Sequence, residues 1–192
     1  MIPPNALERR SFYRVHDIIG LRFQILEENE VPHSVEALQR RSSNVVHEFQ
    51  HLHQIGNDFT KLLSQLKREE GHLVTQAITL CFEHQQVLVN LFIQSLEKQG
   101  FSFEKSNLSA GGISFDTEEE LSVGDRLLME MVLPNINAAV HCVSEVVDIS
   151  DQKNGYSLIK AHFKIISEEH QDLVSKSVMR VQSKQLRKQR QD

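Results

Sequence analysis

From about residue 34 to residue 99 the chain has no proline and only two glycines, Gly56 and Gly71, and its apolar residues recur at helical spacing. Val45, Phe49, Leu52, Phe59, Leu63 and Leu66 follow at steps of three, four and seven, and a second stripe runs through Val74, Ile78, Cys81, Leu88 and Phe92. A run of this kind commits the segment to helix with an apolar seam. Ser34, just after Pro32, suits a helix N-cap, and Gly100 suits a C-cap. The flanks obey a different period. Residues 15–26 mix β-branched and aromatic side chains in partial alternation and read as one strand, bent at Gly20. Beyond Phe101, residues 113–115, 126–133, 138–148 and 156–163 read as short strands. Pro134-Asn135 and the hairpin signal Asn154-Gly155 connect them, and such spacing suits a small antiparallel barrel. After Ser167 the pattern is helical again, with Leu173, Val174, Val178 and Val181 along one side. The expected class is α+β: a mainly β core, an inserted helical segment and a C-terminal helix.

Composition excludes several functions. A net charge of −5 over 192 residues gives no general reason to expect nucleic-acid binding. The basic last turns, with Lys176, Arg180, Lys184, Arg187, Lys188 and Arg190, complement the helix dipole and read as a solvated face. No apolar run approaches a membrane span, and residues 1–5 lack the apolar core of a secretory leader, so a cytoplasmic protein without a membrane partner is expected. Cys81 and Cys142 have no metal-ligand spacing and sit among apolar residues, which predicts buried free thiols.

Two short clusters carry chemistry. The first is Arg9-Arg10-Ser11-Phe12-Tyr13-Arg14, and the second is Asn107-Leu108-Ser109-Ala110-Gly111-Gly112. An arginine fork pairs bidentately with the O6 and N7 edge of guanine, stacks on a base or clamps a phosphate. Asn107 and Ser109 project to one side of an extended segment, while Gly111 and Gly112 permit positive φ and close approach of a ligand. Together they suggest a guanine-nucleotide site.

R-x-x-x-R at Arg10 to Arg14 followed by N-x-S-x-x-G at Asn107 to Gly112 resembles the PilZ domain, a family of small β-barrels that bind cyclic di-GMP. Ile113-Ser114-Phe115, Leu121, Val123-Gly124-Asp125 and the following strand succeed one another in family order. The resemblance implies a PilZ-like barrel in three parts: residues 1–33 with the arginine motif and first strand, an inserted helical segment at 34–100, and the rest of the barrel with a C-terminal helix at 101–192. It also implies a non-catalytic cyclic di-GMP receptor or adaptor acting on a bacterial process such as motility, pili or exopolysaccharide. Arg9, Arg10 and Arg14 would take guanine edges and phosphates, Asn107 and Ser109 would hydrogen-bond the ligand, and Gly112 would keep the wall open. No cofactor besides that ligand is implied. The segment before Phe12 has few apolar anchors and is expected to order across the barrel mouth on binding.

If both motif-bearing strands share one barrel, the helical segment must leave and return. A single helix of about 65 residues would be roughly 100 Å long and would part its ends. A hairpin turning near residues 69–72, at Gly71, brings them together. Two helices leave one apolar face wet, which predicts a homo-oligomer, dimer or tetramer, through residues 34–99. The alternative is a hairpin folded over its own barrel. The runner-up function is an oligomeric scaffold that binds a downstream protein without nucleotide. A remote third is a zinc hydrolase, since His47-Glu48-Phe49-Gln50-His51 spells H-E-x-x-H, with His53 nearby. Phe49 belongs to the apolar stripe and no third ligand is apparent, so the flanking histidines read as coiled-coil boundary positions and no enzyme is expected.

Overall fold

The computed structural model describes residues 13–69, 72–151 and 155–189. Six antiparallel strands close into a barrel: β1 (Arg14–Leu26), β2 (Ser102–Ser109), β3 (Gly112–Thr117), β4 (Arg126–Leu133), β5 (Ala138–Asp151) and β6 (Ser157–Ile165). Their order around the barrel is β1-β2-β3-β6-β5-β4. Closure depends on β1. Its first half pairs with β2 from Arg14↔Ser109 to Leu21↔Ser102, and its second half pairs with β4 from Gly20↔Val132 to Leu26↔Arg126. The strand changes partners at Gly20, where an added Cβ would lie 2.6 Å from the ring of Phe103, directly opposite in the ladder. Glycine at this position is thus a packing requirement, with an aromatic ring filling the space of the missing side chain.

Alternation along β1 sends Val15, Ile19 and Leu21 into the core and leaves Arg14, His16 and Ile18 outside. Leu108, Ile113, Phe115, Leu127, Met129, Met131, Val140, Cys142 and Ile159 fill the barrel, as period-two patterning requires. The C-terminal helix, α4 (Glu168–Gln189), lays Leu173, Val174, Val178 and Val181 against that core. These are the four apolar positions that its sequence spacing selects.

The insert is a short helix α1 (Val35–Gln39), then α2 (Asn44–Glu69) and α3 (His72–Ser95), continued by a 3₁₀ turn at Leu96–Gln99. The two long helices end and begin at residues 69 and 72, where a hairpin turn is expected. Ser34 caps α1 by accepting a hydrogen bond from the Ala37 N–H at 3.3 Å. Gly100 ends the 3₁₀ turn with φ of 84°, in the left-handed region that favours glycine. The helical pattern is not continuous from residue 34, because residues 40–43 break it. No proline or glycine marks that break; the Ser43 N–H donates to the Glu130 carboxylate of β4 at 3.1 Å instead of to a helical carbonyl.

The root of the hairpin packs on the outside of the barrel. Val45, Val46 and Phe49 of α2 meet Leu96, Phe101, Val132 and Ala139 in a core separate from the barrel interior. Arg22 of β1 holds the other end of the insert: its guanidinium pairs with Glu130, donates to the Gln99 carbonyl at 2.9 Å and lies 4.7 Å from the Phe101 ring centroid. Further out the arms touch through Phe59 and Phe82, stacked at 4.7 Å. On either side of that contact, Leu62 and Leu80 further out and Val87, Leu88 and Leu91 nearer the barrel are 54 to 64% exposed. The expectation of two buried thiols fails for Cys81, which is exposed on the hairpin, and holds for Cys142 in the barrel. Burial pushes the Cys142 thiol up to about 12.

Candidate functional site

The N-x-S-x-x-G segment forms the end of β2, a turn and the start of β3. The Ser109 hydroxyl donates to the Gly112 carbonyl at 3.1 Å and closes that turn, while the Gly111 carbonyl accepts from the Phe163 N–H at 3.1 Å and ties it to β6. Directly opposite residues of an antiparallel ladder share a face. Arg14 stands opposite Ser109 and His16 opposite Asn107, so Arg14, His16, Asn107 and Ser109 gather on one outer patch of the barrel. His16 was not singled out by the motifs, although the alternation of β1 puts it on the side of Arg14. Arg9 and Arg10 lie outside the described residues.

Asn107 is the polar group in this patch left incomplete. Its side-chain oxygen is buried and has no hydrogen-bond partner among the described residues. A buried acceptor without a partner carries a desolvation cost of about 1–3 kcal/mol, which a donor on a ligand or on another segment would remove. Arg14 makes no ion pair among the described residues. Lys160 of β6, opposite Ser114, bonds Asp148 at 2.5 Å and holds that carboxyl below the ordinary range.

Neither Gly111 nor Gly112 supplies the positive φ expected from the sequence, and Gly112 does not open toward a ligand. The positive-φ glycines among the described residues are Gly100, Gly124 and Gly155, so neither residue of the pair supplies a left-handed turn. At Gly112 an added Cβ would meet the Ala161 carbonyl oxygen at 2.4 Å and the His162 Cα at 3.2 Å. Its missing side chain therefore admits the backbone of β6, and its direction is toward protein rather than toward a ligand.

The H-E-x-x-H residues lie on α2, and no group of three metal-ligating side chains forms among the described residues. His53, one turn further on, has its Nδ1 3.1 Å from the Ile136 carbonyl. Two other histidines, which no motif points to, are buried between strand and helix: His141 Nε2 is 2.7 Å from the Leu38 carbonyl, and His170 Nδ1 is 3.2 Å from the His141 carbonyl. Gln50 of α2 reaches His170 Nε2 at 2.8 Å, so the pair stitches α1, α2 and α4 to β5. Desolvation holds the His170 imidazolium down from its ordinary value. No described helix is long and apolar enough to cross a membrane.

Comparison of the sequence with curated proteins gives no match. Several solved structures match, among them the following two. A pathogenic protein from Xanthomonas campestris, a tetrameric PilZ domain self-assembled via a helical bundle, aligns with a TM-score of 0.52 and 11% identity over 92% of this chain and 89% of that one. The inhibitor of motility MotI/DgrA of Bacillus subtilis aligns with a TM-score of 0.47 and 14% identity over 95% of this chain and 56% of that one. The family model of the PilZ domain matches residues 85–180, from within α3 to within α4. That span leaves out β1, which the insert separates in sequence and the barrel returns to its place between β2 and β4. The match covers half of the 192 residues, and the chain belongs to the PilZ domain family.

Proposed function

We propose that the chain is a non-catalytic receptor for cyclic di-GMP, bound on the outer patch of β1 and β2. The observation that carries the reading is the buried Asn107 oxygen, without a hydrogen-bond partner among the described residues, on one patch with Arg14 in a barrel of the PilZ family. Arg14, with Arg9 and Arg10 from the preceding segment, takes guanine edges and phosphates through bidentate forks. A guanine N–H satisfies Asn107. Ser109 acts by shaping the turn, because its hydroxyl is already committed, and Gly112 acts by seating β3 on β6. Arg14→Ala and Asn107→Ala test this by fluorescence anisotropy with a labelled cyclic dinucleotide. Arg14→Ala weakens binding by roughly 10- to 150-fold, the worth of a charged hydrogen bond of about 1.5–3 kcal/mol. Unchanged affinity in a folded Arg14→Ala variant contradicts the proposal.

The receptor works as a homo-oligomer assembled through the hairpin. The exposed Leu62, Leu80, Val87, Leu88 and Leu91 support this, since they would leave an apolar strip in water on a lone chain. The tetrameric relative assembles via a helical bundle, which gives the arrangement a precedent in the same fold. Light scattering of the full chain reads a dimer or tetramer, and Leu62→Lys/Leu88→Lys reads a monomer; a monomeric parent rejects the assembly. The same strip favours the second reading, an oligomeric scaffold that recruits a downstream protein without nucleotide, and failure of cyclic di-GMP to bind selects it.

A further inference from the structure

The PilZ patch leaves a second feature unused. A cleft of about 670 Å³ opens between α2, α3, α4 and the 3₁₀ turn at Pro134–Ile136. That volume falls in the range of small-molecule sites, roughly 300–1,000 Å³. Its walls are held in place: His53 of α2 bonds the Ile136 carbonyl, and Asn137, in the left-handed region at φ of 50°, donates from its amide to Gln86 of α3 at 2.6 Å.

Charge in the cleft has one sign. Lys176, Arg180 and Lys184 line it from successive turns of α4, and no Asp or Glu is among its lining residues, in a chain of net charge −5. None of the three makes an ion pair among the described residues. Like charges four residues apart on a helix repel one another, so the row is a local cost without a compensating acid in the cleft. Lys176 also borders a neighbouring recess that holds Glu169 and Asp172, so Arg180 and Lys184 are the cations committed to the cleft alone.

Gly56 is a second, independent sign. It lies inside α2, where glycine is the least favourable residue after proline, and it lines the cleft. A Cβ added there would meet nothing within 4 Å, so no packing within the chain asks for glycine. A glycine with no neighbour to admit fits a helix surface that something outside the chain approaches closely. Asn57, Thr60 and Asn90 line the same cleft, with the Thr60 hydroxyl donating to the Gly56 carbonyl at 2.8 Å.

We propose that this cleft binds a small, multiply charged phosphorylated molecule, its phosphates on Arg180, Lys184 and Lys176 and its body against Gly56. The occupant would bridge both hairpin arms and α4, and so fix the angle at which the hairpin leaves the barrel. The site is separate from the β1–β2 patch and does not depend on what that patch binds. Calorimetric titration of the full chain with inorganic tripolyphosphate, orthophosphate and a deca-glutamate peptide tests it. Tripolyphosphate binds at least tenfold more tightly than orthophosphate and weakens as salt rises. Lys176→Gln/Arg180→Gln/Lys184→Gln lowers its affinity at least tenfold. Gly56→Leu, which keeps every charge and fills the floor, does the same while melting no lower than the parent, and Arg14→Ala leaves binding unchanged. The proposal is overturned by absence of tripolyphosphate binding at millimolar concentration, or by equal binding in the triple variant or in Gly56→Leu. It is overturned equally by loss of binding in Arg14→Ala, which would place the anion on the β1–β2 patch, or by tighter binding of the peptide, which would make the cleft a dock for an acidic protein segment.

Discussion

Arg22→Met is the perturbation whose cost the structure fixes most closely. The guanidinium bonds the Glu130 carboxylate through Nε at 3.0 Å and through Nη2, and the Arg22 side chain is 33% exposed against 10% for Glu130. A charged pair of this geometry, discounted for the solvent around Arg22, is worth about 2 kcal/mol. Losing the donor to the Gln99 carbonyl adds about 1 kcal/mol, and losing the cation over Phe101 adds about 0.5–1 kcal/mol. The sum, about 3.5–4 kcal/mol, lowers the melting temperature by roughly 10 °C in a chain of this size. Glu130→Gln keeps an acceptor for the Ser43 N–H and costs less, about 1–2 kcal/mol. Because the two side chains share one interaction, the double variant costs at least about 1 kcal/mol less than the two singles added together. Urea unfolding of the four proteins measures this cycle. Additive losses, or a change under about 1 kcal/mol for Arg22→Met, would refute the view that this pair clamps both ends of the insert to the barrel.

Three further outcomes follow from the geometry. Gly112→Ala drives a Cβ to 2.4 Å from the Ala161 carbonyl and destabilises by about 1–3 kcal/mol in denaturant unfolding, whether or not ligand is present; a neutral effect on stability would return Gly112 to the ligand wall. His170 has a folded-state value depressed below its ordinary 6.5, so the unfolded chain binds the extra proton first; the stability that neutral His170 contributes is complete above about pH 6.5 and is lost as pH falls through that value toward the folded one. Unfolding free energies at pH 7.5 and 5.5 therefore differ for the parent, and the difference shrinks in His170→Gln. A thiol reagent at neutral pH labels the exposed Cys81 and spares Cys142, which reacts only in denaturant; slower labelling of Cys81 as protein concentration rises marks assembly through the hairpin.

Local signals in the sequence reached the elements whose pattern is local. The strands β1 and β3 to β6 are legible from alternation and turn residues, the hairpin from the seam that turns at residues 69–72, and α4 from Leu173, Val174, Val178 and Val181. The strand β2 is not, because Phe103-Glu104-Lys105-Ser106-Asn107 carries little apolar alternation and is held by pairing with β1 across the insert. The break between α1 and α2 is equally silent, since the acceptor that captures the Ser43 N–H is Glu130, 87 residues away. Asn107, Ser109 and Arg14 are brought together as their motifs imply. Gly112 misleads, because a glycine in a motif has the same letter whether it admits a ligand or, as here, the backbone of a strand some fifty residues later. The basic turns of α4 read as a solvated face for the same reason: what makes Arg180 and Lys184 part of a cleft is the hairpin standing opposite them.

Titration calorimetry of cyclic di-GMP into the full chain, beside Arg10→Ala/Arg14→Ala and with GTP as competitor, tests the central claim most directly. Saturable micromolar or tighter binding, lost in the folded double variant and indifferent to GTP, is the predicted result. No heat from folded parent protein would contradict the receptor and leave the barrel as a scaffold for the helical arms.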